Sequence, residues 1–248
     1  MSTFILLHGA WHDPRVWDRV APALRAAGHS VETPNLPGNG FEPAETATPA
    51  AAVTLEVYAD AIAPLIERAP SPVILVGHSM AGIVISTLAE RMPDRLAKLV
   101  YLAAFMLPDG FSITTFYDRY ATPDMAGARQ ALRLSPDRTW STIAPGDALA
   151  LFFNTCSPGD AAMAASHLGP QPAQPRRDIV RVSSERFGRV ARVYFATLQD
   201  RTVFPLLQQR MYQDLTPTRV VEFDTDHSPF VSASDALTAA LLAEAAKV

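Results

Sequence analysis

Lysine and cysteine are scarce in this sequence, and each shortage excludes a class of chemistry. Lys98 and Lys247 are the only lysines among 248 residues, and neither lies in a glycine-rich loop or at the end of an apolar strand. Phosphate transfer of the Walker type and pyridoxal chemistry need such lysines and are disfavoured. Cys156 is the single cysteine, and the six histidines lack the spacing of a zinc site. We expect no intrachain disulfide, no metal and no cofactor.

Positive charge and long apolar runs are also missing. The formal net charge is −4 at pH 7, which gives no field to attract nucleic acid or an anionic membrane. The apolar run 4–7 is too short for a signal sequence or a membrane span, and no basic residue precedes it. We expect a cytoplasmic protein with a small-molecule substrate and with neither a nucleic-acid nor a membrane partner. The sequence leaves the oligomeric state open, a homodimer included.

Short apolar runs alternate with segments of helical period, the pattern of parallel strands joined by crossover helices. The sequence therefore predicts an α/β fold with a mostly parallel central sheet flanked by helices. The predicted strands are 4–7, 30–33, 72–77, 96–103, 190–196 and 219–223. The predicted helices are 14–27, 51–68, 80–92, 205–212 and 232–246. In the second helix, the predicted apolar face contains Val53, Val57, Ala61 and Leu65.

The alternation stops between residues 107 and 187, where short helical pieces, Pro-rich turns and scattered aromatic residues take over. Such a stretch is typical of an inserted, mainly helical cap. We predict a core formed by 1–106 and 188–248. Most aromatic residues of the insertion should form its own core, and a few should line an apolar pocket. We assign Phe105 and Trp140 to that pocket.

A Gly-x-Ser-x-small motif, 77–81, lies where the strongest predicted strand turns into a helix. Small residues on both sides of Ser79 permit a strained turn that exposes its hydroxyl at the carboxyl edge of the sheet. We therefore interpret Ser79 as a nucleophile, with an N-cap of the helix as the alternative. Ala81 stands where a second glycine is usual, which adds one methyl group.

A serine hydroxyl needs a base in hydrogen-bond reach and an acid that orients the base. His227 follows the last predicted strand and Asp200 follows the preceding one, so both should lie at the edge that carries Ser79. The alternative for Asp200 is a helix cap. Asp224 and Asp226 are nearer to His227 in sequence, but a carboxylate on the same loop would have to fold back to reach it.

Ester hydrolysis also needs donors for the oxyanion of its tetrahedral intermediate. We assign this role to the backbone amides of Met80, at a helix start, and of Ala10, in the loop after the first strand. Gly9 lets that backbone approach closely and should border the substrate. We interpret His8 as a buried residue bonded within its loop. His12 should reach a substrate or lie at the surface.

The assembled motifs resemble the α/β-hydrolase fold, and within it the group of plant methylesterases and hydroxynitrile lyases with their bacterial esterase relatives. The resemblance spans nearly the whole chain and depends on segments 7–12, 73–79, 102–106, 156–158, 185–188 and 226–227. Lyases of this group carry a lysine directly after the catalytic histidine, and a threonine where the esterases have a glycine. This chain has Ser228 and Gly9 at those positions.

The resemblance therefore implies a serine hydrolase that cleaves a small hydrophobic carboxylic ester through an acyl-enzyme. The predicted catalytic residues are Ser79, His227 and Asp200. A lyase on the same scaffold, or a ligand-binding homologue without activity, are the two alternatives.

Overall fold

The structure is a computed structural model that describes residues 1–39 and 47–247. The segment 34–49 is rich in Pro, Gly and Asn, which predicts a loop, and part of it lies outside the described residues. In chain order, the strands are β1 (Thr3–Leu7), β2 (Ser30–Glu32), β3 (Val73–His78), β4 (Leu96–Leu102), β5 (Leu132–Leu134), β6 (Trp140–Ile143), β7 (Gln171–Pro172), β8 (Arg192–Thr197) and β9 (Arg219–Phe223). The six strands predicted from the sequence are all present, with ends shifted by at most two residues.

The α-helices are α1 (Ala21–Ala26), α2 (Leu55–Arg68), α3 (Ala81–Arg91), α4 (Ile113–Tyr120), α5 (Gly127–Gln130), α6 (Pro145–Phe152), α7 (Pro158–Ser166), α8 (Pro205–Asp214), α9 (Pro229–Ser232) and α10 (Ser234–Ala245). Among the described residues, no helix has the length and apolar character needed to cross a membrane.

Six strands form one parallel sheet in the order β2-β1-β3-β4-β8-β9. Alternate side chains of each strand point to opposite faces. Ile5 and Leu7 join a core on one face with residues of α2, α3 and α8. Phe4 and Leu6 join a second core with residues of α1 and α10. Because both faces are covered, the inner strands read as continuous apolar runs.

The predicted helix 14–27 is interrupted. Pro14–Trp17 forms a 3₁₀ turn capped by Asp13, and α1 begins only at Ala21. Pro22 explains the break because it has no N–H to donate to the carbonyl of Asp18, as a continuous α-helix would require. Gly28 ends this region with a φ of 87°, a left-handed conformation that glycine adopts readily. The last predicted helix, 232–246, corresponds to α10, and the short helix α9 precedes it.

The predicted helix 51–68 begins later than expected, and its predicted apolar face is only partly correct. Val53 is buried but precedes α2, Leu65 packs against the core, and Ala61 is exposed. The Thr54 hydroxyl accepts a hydrogen bond from the Val57 N–H at 3.2 Å and sets the start of α2. The buried side chains of α2 are those of Leu55, Tyr58, Ala59, Ile62 and Ile66. The predicted face followed strict four-residue steps, which drift around a helix of 3.6 residues per turn.

The chain between β4 and β8 contains α4 to α7 and, unpredicted from the sequence, a three-stranded antiparallel sheet in the order β5-β6-β7. These strands have two to four residues each, too few for an alternating pattern to stand out. The Pro-rich segment 169–172, predicted as a turn, contributes β7. This region joins the core at Asp226, whose carboxylate accepts a hydrogen bond from the Thr155 N–H at 2.9 Å.

Candidate active site

Ser79 lies on the turn between β3 and α3 in a left-handed backbone conformation, with φ at 53°. This region is unfavourable for a residue with a side chain and needs support from its surroundings. The Ser79 N–H donates to the Leu102 carbonyl at 3.1 Å, and the Ser79 carbonyl accepts from the Phe105 N–H at 3.0 Å. Met80 occupies the N-cap position of α3, and no side chain caps this helix. The alternative of Ser79 as a capping residue is therefore wrong.

The small residues around Ser79 have a steric explanation. A Cβ at Gly77 would lie 2.8 Å from the Ala81 carbonyl oxygen, and one at Gly82 would lie 2.5 Å from the Phe105 carbonyl oxygen. Both contacts are with backbone, which has little freedom to move. Ala81 is fully buried, so the core accommodates the methyl group by which the motif departs from glycine.

Asp200 and His227 form a buried hydrogen-bonded pair after the ends of β8 and β9. The distance from His227 Nδ1 to Asp200 Oδ2 is 2.7 Å. Asp200 Oδ1 also accepts from the backbone N–H groups of Thr202, at 2.7 Å, and Val203, at 2.9 Å. Asp200 does not cap α8, because Phe204 occupies that N-cap position. The carboxylate is therefore held in a fixed orientation toward the imidazole.

The nearer carboxylates have other partners. Asp226 accepts hydrogen bonds from the N–H groups of Ser228 and Thr155 and from the Ser232 hydroxyl. Asp224 accepts from the Gln199 side chain. The carboxylate that contacts His227 is therefore that of Asp200. Asp224 and Asp226 are bonded elsewhere.

His227 packs against the residue that precedes Ser79. The His78 Nε2–H donates to the His227 carbonyl at 2.9 Å, and the two imidazole rings are 4.6 Å apart. Burial, followed by the nearby His227, holds the pKa of His78 well below its ordinary value, so this ring is neutral. His78 is fully buried and connects the Ser79 turn to the His227 loop.

A cavity opens at Ser79 and forms a concave site of the kind that small ligands occupy. Its wall combines the Ser79 turn, the loop after β1, the start of α4 and parts of the segment 107–187. The residues that line it are Ala10, Trp11, Ser79, Met80, Phe105, Ile113, Thr114, Tyr117, Arg129, Arg176 and Thr202.

The predicted oxyanion donors Ala10 and Met80 both line this cavity. Within the part of the chain that the structure describes, neither backbone N–H has a hydrogen-bond acceptor. Gly9 brings the first loop against Ser79, because a Cβ at Gly9 would lie 2.9 Å from the Ser79 Cβ and 2.7 Å from His78 Nδ1. The Met80 amide also lies at the start of α3, where the helix dipole favours negative charge.

Of the predicted substrate contacts, Phe105 lines the cavity and Gly9 borders it through Ser79. His12 and Trp140 do not line this cavity, so the prediction that they contact a substrate there is wrong. The His12 ring turns inward, donates from Nδ1 to the Ala10 carbonyl at 2.9 Å and contacts Phe152 and Phe230. Trp140 lies on β6, and 38% of it is exposed.

Burial lowers the pKa of His12 to about 3, so its ring is neutral. His8 is buried as predicted: its Nδ1–H donates to the Gly9 carbonyl and its Nε2 accepts from the Leu36 N–H. Burial also lowers the pKa of His8.

Sequence reasoning missed several cavity residues, among them Thr202 and two arginines, Arg129 and Arg176. Thr202 follows Asp200 closely and could have been found from that proximity. The two arginines belong to the segment without a regular hydrophobic period, where no local signal says which side chains face inward.

The described residues include no group of three His, Cys, Asp or Glu side chains that could hold a metal ion.

The parallel sheet, the strained serine turn and the buried acid–imidazole pair define the class of this protein. The chain belongs to the α/β-hydrolase family, whose model matches residues 4–240. It is similar to Methylesterase 7 of Arabidopsis thaliana, with 29% identity over 96% of this chain and 94% of that protein. It is also similar to Salicylic acid-binding protein 2 of Nicotiana tabacum, with 28% identity over 96% of this chain and 95% of the relative.

Among solved structures, a pyrethroid hydrolase from Sphingobium faniae JZ-2 superposes with a TM-score of 0.86 and 26% identity. The match covers 98% of this chain and 96% of the other. These relatives confirm the resemblance and the fold predicted from the sequence.

Proposed function

We propose that this protein hydrolyses small carboxylic esters, with Ser79 as nucleophile, His227 as general base and acid, and Asp200 as the orienting carboxylate. The observation that carries the proposal is the 2.7 Å contact between His227 Nδ1 and Asp200 Oδ2, in a loop that packs directly on the Ser79 turn. The similarity to a methylesterase and to a pyrethroid hydrolase supports ester hydrolysis.

The hydrogen-bond pattern selects the tautomer that the reaction needs. A carboxylate can only accept, so the proton of the neutral His227 ring is on Nδ1 and the lone pair is on Nε2. Nε2 takes the hydroxyl proton of Ser79 while Oγ attacks the carbonyl carbon of the ester. Asp200 then stabilises the imidazolium without itself taking the proton.

The carbonyl oxygen becomes an oxyanion as the tetrahedral intermediate forms. In this proposal the amides of Ala10 and Met80 donate to it, each contributing on the order of 3 kcal/mol. The intermediate collapses as the C–O bond to the alcohol breaks, and His227 gives its proton to the leaving oxygen. A water molecule, deprotonated by His227, then cleaves the Ser79 ester and releases the acid.

Lyase chemistry on this scaffold is less well supported. The lyases that the sequence resembles have threonine at the position of Gly9, and here even a Cβ would meet His78 Nδ1 at 2.7 Å. The position after His227 is Ser228, which supplies no cation for a cyanide leaving group. We therefore favour ester hydrolysis over cyanohydrin cleavage.

We also propose that residues 107–187 act as a cap over the core formed by 1–106 and 188–248. Ile113, Tyr117 and Arg176 contribute to the cavity from this segment, while Ser79 and Ala10 contribute from the sheet edge. The cap would thus select which esters reach Ser79.

The test compares wild type, Ser79→Ala and Ser86→Ala on p-nitrophenyl and methyl esters and on mandelonitrile. Ser86 lies on the same helix, buried and hydrogen-bonded to Gly82 and Tyr101, and does not line the cavity. We expect wild type and Ser86→Ala to hydrolyse the esters, and Ser79→Ala to lose about 10⁴-fold or more in kcat. Release of cyanide without ester turnover would instead favour a lyase, and no turnover of either substrate would favour a binding protein.

A further inference from the structure

Arg176 brings a positive charge into a cavity whose other walls are largely apolar. The cavity at Ser79 is lined by Met80, Phe105 and Ile113 as well as by Arg176. Arg176 ends a short 3₁₀ helix, Gln174–Arg176, and its guanidinium carbon lies 5.4 Å from the centre of the Trp11 ring. Trp11 itself lines the cavity, so the guanidinium stacks on the wall that the substrate contacts.

This guanidinium has no counter-ion within the protein as described. Among residues 1–39 and 47–247, no carboxylate lies within 4 Å of it, and the nearby ionised groups, Arg129 and Arg177, are also cationic. Burial lowers the pKa of Arg176 to about 10, so the group stays charged at neutral pH. An unpaired charge at a partly desolvated site is unfavourable, and binding of an anion would compensate it.

The positive charge extends beyond the cavity into a neighbouring depression. A second depression, lined by Arg129, Arg138, Arg176 and Arg177, shares Thr114, Arg129 and Arg176 with the cavity at Ser79. Within the described chain, Arg129 alone of these four has a carboxylate partner, Asp118, at 2.5 Å. The depression beside the cavity is therefore cationic although the whole protein has a net charge of −4. Such a local field attracts anionic ligands and raises their association rate.

We propose that the natural substrate is an ester bearing a second, anionic group, a carboxylate in the simplest case, which Arg176 binds while Ser79 attacks the ester carbonyl. Arg177 does not line the cavity at Ser79 and contributes only to the longer-range field, whereas Arg176 contacts the bound anion. The inference rests on the proposed ester hydrolysis and adds the charge of the substrate to it. A guanidinium suits a carboxylate because its fork of N–H donors matches the two oxygens.

The competing explanation is that Arg176 only packs against Trp11 and stabilises the cavity wall. The two explanations differ in substrate dependence. Loss of packing would impair all esters alike, whereas loss of an anion site would impair only charged esters.

The experiment uses p-nitrophenyl monoesters of dicarboxylic acids from succinate to adipate, each paired with the neutral ester of the monocarboxylic acid of equal chain length. Wild type, Arg176→Gln, Arg176→Lys and Arg177→Gln are compared. Arg177 is exposed and does not line the cavity at Ser79, so its variant removes the same charge from the neighbouring position.

For the best charged ester we expect Arg176→Gln to lower kcat/KM by about 10- to 100-fold, the usual effect of losing a charged hydrogen bond. Its neutral partner should change by less than about threefold, Arg176→Lys should retain part of the activity, and Arg177→Gln should have a small effect. Added salt should raise the KM of the charged ester more than that of the neutral one. Equal losses for both esters, or equal effects of Arg176→Gln and Arg177→Gln, would overturn the proposal.

A binding measurement separates this inference from the proposed catalysis. Calorimetry on Ser79→Ala with phenyl hydrogen glutarate should show binding that weakens about 10-fold or more when Arg176→Gln is added. Binding of that kind without ester turnover in wild type would refute the hydrolase mechanism but retain the anion site. Turnover of neutral esters, together with a Kd unchanged by Arg176→Gln, would retain the mechanism and refute the anion site.

Discussion

The two carboxylate oxygens of Asp200 have different partners, and this difference gives a sharp prediction at the scale of one residue. Oδ1 accepts from the N–H groups of Thr202 and Val203, while Oδ2 faces His227 Nδ1. In Asp200→Asn the remaining oxygen should stay with the two backbone donors. The new NH₂ group would then donate to Nδ1 and force the proton of His227 onto Nε2, where the ring no longer accepts from Ser79.

We expect Asp200→Asn to lose about 10²- to 10⁴-fold in kcat. Steady-state kinetics with a p-nitrophenyl ester measures this loss of kcat. A thermal melt checks that the variant is folded. Asp224→Asn is the matched control, because Asp224 bonds to Gln199 and not to His227. Near-normal activity of Asp200→Asn, or an equal loss in Asp224→Asn, would show that Asp200 is not the orienting acid.

At this scale, the sequence predicts the location of those active-site residues whose position follows from the order of the strands. Ser79, Asp200 and His227 each follow the carboxyl end of a parallel strand, so strand prediction alone places them at one edge. Arg176 and His12 were not predictable in this way. The direction of each side chain depends on packing between distant segments, Arg176 against Trp11 and His12 against Phe230.

At the scale of elements, α3 approaches the loop after β4 so closely that position 82 tolerates only glycine. A Cβ there would meet the Phe105 carbonyl oxygen at 2.5 Å and the Phe105 nitrogen at 2.8 Å. We expect Gly82→Ala to lower the free energy of unfolding by about 1–3 kcal/mol. Because the Phe105 N–H also supports Ser79, esterase activity should fall as well.

Gly146→Ala is the matched control for this prediction. Gly146 lies in α6, and a Cβ added there meets nothing within 4 Å. Its stability should be unchanged or slightly increased, because alanine restricts the unfolded chain. Urea unfolding measures both variants, and a Gly82→Ala protein as stable as Gly146→Ala would contradict the account of this contact.

The sequence predicts the elements of the main sheet well because buried parallel strands are continuous apolar runs. It fails where one residue changes the local geometry. Pro22 divides the helix predicted at 14–27, and Thr54 delays the start of α2. The small sheet β5-β6-β7 escapes prediction because pairing between distant short segments, and not local pattern, creates it.

At the scale of the whole molecule, three buried neutral histidines should make stability depend on pH. Burial lowers the pKa values of His8, His12 and His78 in the folded protein. The unfolded chain binds protons at these sites below about pH 6.5, whereas the folded protein does not, so falling pH favours unfolding. With a folded pKa of about 3, His12 alone should remove about 2 kcal/mol of stability between pH 7.5 and pH 5.

Urea unfolding of wild type and His12→Phe at these two pH values tests this linkage. The variant loses the hydrogen bond to the Ala10 carbonyl, a cost that is the same at both pH values. Its further loss of stability on acidification should be about 2 kcal/mol smaller than that of wild type. Equal losses in the two proteins would contradict a neutral, buried His12.

The proposed mechanism depends on covalent chemistry at Ser79. The most direct measurement is intact and peptide mass spectrometry of the protein after exposure to a fluorophosphonate, with Ser79→Ala and His227→Ala treated in parallel. We predict one adduct per wild-type chain, located on the peptide that contains Ser79, no adduct in Ser79→Ala, and labelling slowed by orders of magnitude in His227→Ala. An unlabelled wild-type protein, or an adduct on another residue, would contradict the assignment of Ser79 as the nucleophile.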